Sequence, residues 1–264
     1  MIARNPRITF EDALPHWAPN HAFAQVTNAG STSLPYVETY LNSVMARAAQ
    51  VLTDPALRAD IAVFSAQEGN HYRQHRHFNR LLYGRYPGLR ALENALGADY
   101  EQMLRERSLA ENVAYCEGFE CLGIIQTEFF FERIADLLAG ADARLVKLWG
   151  WHLAEEFEHR TVCYDVHYAL GGGYVGRLRG FLRALRHLGR YGKAVSAHLL
   201  SVDRAGMSAA ARRESRRLER RYRARFLRFA LPRLLYVLSP FYDPRRKRPP
   251  RGAAELLNEI RPAP

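Results

Sequence analysis

Four stretches of this chain place glutamate and histidine inside the apolar stripe that a helix must bury, and that pattern limits the fold more than any other feature. Across long windows of the 264 residues, apolar side chains recur at spacings of three and four, while alternation with period two is scarce. An all-α protein is therefore expected. Residues 36–53 follow Ser33 and Pro35, read as a cap and a first-turn proline, and carry Leu41, Met45, Ala48 and Leu52 on one face. Glu38 shares that face. A second helix is expected over 56–83, a shorter connector over 88–104, a third long helix over 108–139 and a fourth over 142–170. Such lengths suit an antiparallel four-helix bundle with further helices after it.

The second helix reads FSAQEGNHYRQH, which sets Glu68, His71 and His75 within about 60° of one another on one helix face. The fourth reads WGWHLAEEFEHRTVC and groups His152, Glu156 and His159 in the same way. A lone Glu-x-x-His step usually marks a solvated face. Here both steps lie among residues expected in the core: Ile61, Phe64 and Phe78 flank the first, and Leu153, Val162, Cys163 and Val166 the second. Carboxylates buried together must pair or bind a cation, because an isolated buried charge is too costly. The third helix adds Glu120 within the stripe of Val113, Cys116, Ile124, Thr127 and Phe131, with Glu117 at its margin. One glutamate from each of two helices and Glu-x-x-His from each of two others is the ligand arithmetic of di-iron and di-manganese carboxylate bundles.

These stretches resemble a bacterial family, the predicted metal-dependent hydrolases of the ferritin-like superfamily. SLPYVE, QEGNHYRQH and WGWHLAEEFEHR carry the resemblance over residues 33–170, with an echo in the later FYDP. Leu34 and Val37 stand where the family usually has phenylalanine and glycine, and its Glu-His pair in the third helix reads Glu120-Cys121. The His-x-x-x-Glu-x-x-His helix is also similar to that of di-iron arylamine N-oxygenases, which implies His152 as a ligand and His75 as a ligand or a supporting partner. Glu155 is assigned an orienting role and Glu117 is the alternative to Glu120. The expected centre is two iron ions, with manganese or zinc as alternatives, on Glu38, Glu68, His71, Glu120, His152, Glu156 and His159. The expected activity is oxidation or oxygenation of a small organic substrate by dioxygen. Hydrolysis by a metal-bound hydroxide is the alternative, and a metal-containing protein that binds membrane or nucleic acid is the second.

Trp149, Trp151, Phe129, Phe130 and Phe131 have two readings, pocket wall or core, and packing is the expected one. Cys116, Cys121 and Cys163 show no CxxC spacing, so neither a disulfide framework nor a thiolate zinc site is expected. No apolar leader opens the sequence and no stretch of 18 residues lacks charge, so a cytoplasmic protein is expected.

The formal charge of +11 is divided unevenly. Residues 1–171 hold 15 Lys and Arg against 21 Asp and Glu, a balance of −6, while residues 172–264 hold 23 against 6, a balance of +17. Gly171-Gly172-Gly173 marks the seam. Three regions are read: an extension over 1–35, a metal-binding bundle over 36–171, and a basic helical region over 172–264. For the last, apolar faces completing the fold come first and an anionic membrane surface, met through 174–238 at the inner face of the membrane, second. Nucleic acid is disfavoured for want of a recognition module. A homodimer is compatible with the sequence.

Overall fold

The computed structural model describes residues 1–260 and 262 and is all-helical, with no strand among them. Its long helices are α1 (His21–Val51), α2 (Pro55–Tyr83), α3 (Leu89–Glu106) and α4 (Leu109–Arg133), followed by the short α5 (Ala135–Leu138). Then come α6 (Ala143–Glu158), α7 (Val162–Ala169), α8 (Tyr174–Ala205), α9 (Ala209–Val237) and α10 (Ala253–Glu259).

Local chemistry sets most boundaries. The side chains of Asp54, Ser108, Asp142 and Ser208 cap α2, α4, α6 and α9, and Ser108 with Glu111 closes a reciprocal capping box. Three expectations are corrected. α1 starts at His21 under an Asn20 cap, fifteen residues before the position expected, so Ser33 and Pro35 are interior. Pro35 cannot donate to the Ser31 carbonyl one turn back, and the Asn79 side-chain amide does so instead at 2.9 Å. The fourth helix is interrupted: α6 stops at Glu158, His159 is its cap residue, and α7 resumes at Val162. The third likewise ends at Arg133, with Ile134 out of helical geometry. Pro232 lies within α9.

α1 packs along α2, and α4 packs between α6 and α8. The α4–α8 approach is close because Gly180 has no side chain: a Cβ there would overlap the Ala114 carbonyl oxygen. Phe181, Ala184, Val195, Leu199 and Leu200 of α8 are buried, so the basic region supplies core as well as charge. Arg177 is buried too, 3.7 Å from Glu117. No helix among the described residues is long and apolar enough to cross a membrane.

Candidate metal centre

α1, α2, α4 and the end of α6 turn Glu38, Glu68, His71, Glu120, His152, Glu156 and His159 toward one another, and all seven are buried. Ligand atoms of Glu38, His71, His152 and Glu156 lie within 4.8 Å of one another, and so do those of Glu68, Glu120, Glu156 and His159. Glu156 belongs to both groups. His159 Nε2 is 3.2 Å from Glu68 and 3.3 Å from Glu120, and His71 Nδ1 is 3.8 Å from Glu156. These approaches are not aligned as hydrogen bonds. Both carboxylate oxygens of all four glutamates, Nδ1 of His71 and His152, and Nε2 of His159 are buried without a hydrogen-bond partner. Buried polar atoms are rarely left unpaired, so a concentration of them facing one space fits cations held between them.

The electrostatics agree. Burial, with the charges of Glu68, Glu156 and Glu120, holds the Glu38 carboxyl well above the usual range. Burial and Glu156 raise Glu120 to about 8. Burial would raise Glu156 too, but His159, His152 and His71 bring it down to about 2. Burial lowers His152 to about 3. Burial would lower His71, yet Glu155 and Glu68 raise it to about 9. Carboxylates that repel one another in a dry interior and imidazoles that lean on them form an arrangement that positive charge relieves.

A second layer orients the imidazoles. His71 Nε2 bonds Glu155 at 2.9 Å, leaving Nδ1 toward the centre, and His159 Nδ1 donates to Gln67 Oε1 at 3.0 Å, leaving Nε2. Gln67 in turn donates to Glu158, and Arg4 donates to both Glu155 and Glu158. Arg4, Gln67 and Glu158 are absent from the sequence reading. Gln67 and Glu158 directly precede Glu68 and His159, but Arg4 lies 151 residues from Glu155 and leaves no local signal. His75 bonds Ser31 through Nδ1 at 2.9 Å and joins neither group. Glu117, read as the alternative to Glu120, is also outside both, because its carboxylate meets Cys121 and Arg177.

A cavity of about 480 Å³ reaches this cluster at His152 and Glu156. Phe129, Phe130 and Trp149 line it, which corrects the expectation that they only pack; Trp151 and Phe131 do not. Phe23, Phe119, Leu122 and Leu153 complete an apolar wall. The indole N–H of Trp149 is buried without an acceptor. Gly123 makes room at the deep end, since a Cβ there would come within 2.6 Å of Glu156 Oε2.

A family profile described as predicted metal-dependent hydrolase matches residues 2–248 of the chain. No curated protein and no solved structure matches it.

Proposed function

The chain belongs to the family of predicted metal-dependent hydrolases, and on that premise we propose that it is an enzyme with a dinuclear centre on Glu38, Glu68, His71, Glu120, His152, Glu156 and His159. One observation carries this reading: two converging groups of four share Glu156. A carboxylate common to both would be placed to hold two cations. Carboxylate and imidazole without thiolate suit iron or manganese, and the metal assigned here is iron. Glutamates from α1 and α4, with Glu-x-x-His from α2 and from the end of α6, support membership of the ferritin-like superfamily.

When bound, two iron ions would supply dioxygen activation, and the proposed reaction is the oxidation or oxygenation of a small organic substrate. The protein's own groups do the rest. The apolar cavity would hold the substrate against His152 and Glu156. Trp149 offers it a hydrogen-bond donor, while Glu155 and Gln67 keep the His71 and His159 rings turned to the centre. The family's description favours a second reading, hydrolysis of an ester or amide with zinc or manganese bound.

Metal analysis of protein from iron-supplemented cells tests the centre. Two ions per chain are expected, and a Glu68→Ala, Glu156→Ala double variant loses them. Fewer than one ion per chain, or full retention by the double variant, overturns the assignment. Exposure of the anaerobic ferrous protein to oxygen then separates the reactions, with an absorbance change expected. A ferrous form inert to oxygen, alongside a zinc or manganese form that cleaves model esters, makes the protein a hydrolase.

A further inference from the structure

The cavity does not end inside the bundle. Its solvent-exposed lining residues are Gln126 of α4, Gly189 and Lys193 of α8, and Leu227 of α9, so it opens at the surface between the two basic helices. Leu227 also begins an exposed row. Leu227, Leu231 and Leu235 recur every four residues and are 58, 51 and 60% exposed. Arg213, Arg216 and Arg220 precede them on the same side of α9 and Arg228 flanks them, all seven falling within an arc of about 120°. Those four arginines are exposed and join no ion pair among the described residues, whereas Arg217, Arg223, Arg225 and Arg233 are paired.

We infer that this face of α9 docks on an anionic lipid bilayer and that the cavity opening beside it takes a single-chain amphiphile from that bilayer. Two properties of the face select this partner. Arginines free of carboxylates are drawn to anionic headgroups, and leucines exposed beside them gain by entering the boundary between headgroups and acyl chains. Nucleic acid would use the arginines but offers the leucine row nothing apolar to enter. The cavity then fits the cargo: an aromatic and aliphatic wall runs from the membrane-facing mouth at Leu227 to His152 and Glu156, and Lys193 at the mouth, without an ion pair among the described residues, suits an anionic head. Only the identity of the reacting end rests on the proposed function above.

Cosedimentation with vesicles tests the docking, comparing phosphatidylglycerol mixed into phosphatidylcholine with phosphatidylcholine alone. At least tenfold stronger partition to the anionic vesicles is expected. Leu231→Gln, Leu235→Gln and, separately, Arg216→Gln, Arg220→Gln, Arg228→Gln each reduce it at least tenfold with unchanged circular dichroism, because every substituted side chain is exposed. Chain uptake is read with a fluorescent polyene fatty acid, whose emission rises on entering an apolar cavity. Gly192→Leu blocks that rise: Gly192 lines the cavity, a Cβ there meets nothing within 4 Å, and leucine favours the helix over glycine. Equal partition to both vesicle types, wild-type partition by the leucine variant, or undiminished uptake by Gly192→Leu overturns the inference. Both assays give the same result in metal-stripped protein. Loss of the metal centre with docking intact therefore counts against the proposed function alone, and no docking by protein carrying two ions counts against this inference alone.

Discussion

Glu156 is common to both candidate ligand groups, and Gly123 is what lets it stand where it does. A methyl group on Gly123 would meet Glu156 Oε2 at 2.6 Å, so Gly123→Ala is expected to bind less than half the wild-type metal while keeping its helical circular dichroism. Full metal content in that variant would mean that α4 can shift to absorb the methyl group. Glu155 acts through its 2.9 Å bond to His71. Removing such an outer partner generally costs about 10–100-fold in metal affinity, and chelator competition on Glu155→Ala is expected to find a loss of that size. Helical spacing made the candidate ligand residues legible, since carboxylates and imidazoles on a core-facing stripe are conspicuous against their neighbours. It left Gly123 unmarked, because whether a glycine is needed depends on what packs opposite.

Among the helices, close approach and interruption matter as much as amphipathicity. The Gly180 contact with Ala114 brings α8 onto α4, and overpacking such a contact generally costs about 1–3 kcal/mol. Gly180→Ala is expected to lower stability by at least that much in urea unfolding. α3 carries a pH-dependent strain in the buried Glu93, whose carboxyl burial raises to about 7. The unfolded chain releases that proton near the ordinary value, so the folded state binds more protons between about 4.5 and 7. Stability therefore falls as pH rises through that window. Glu93→Gln is expected to unfold later than wild type at pH 8, by about 1–3 kcal/mol, with the difference gone near pH 4. The sequence pattern read α6 and α7 as one helix because apolar spacing continues across residues 159–161. That pattern carries no information on where His159 leaves helical geometry.

At the scale of the molecule, Arg4 closes the arrangement by bonding Glu155 and Glu158, whose partners are His71 and Gln67. The middle of α2, the end of α6 and the N-terminal segment thus bear on the same candidate ligands. Stripping the metal is expected to lower the thermal midpoint, and restoring it at a thousandfold excess over Kd returns about 4 kcal/mol. A thermal scan with and without chelator checks this, and an unchanged midpoint would count against ions in the core. What the sequence by itself determined is the helical class, the place of four glutamates and three histidines on core-facing stripes and the uneven charge, since each follows from residue type or from a period of 3.6. Only the tertiary structure decided that Glu156 serves both groups, that Glu117 turns to Arg177, that Arg4 supports the histidines and that aromatic residues wall a cavity. Those depend on distances between elements far apart in the chain, and helical periodicity specifies which face a residue occupies without specifying what that face meets.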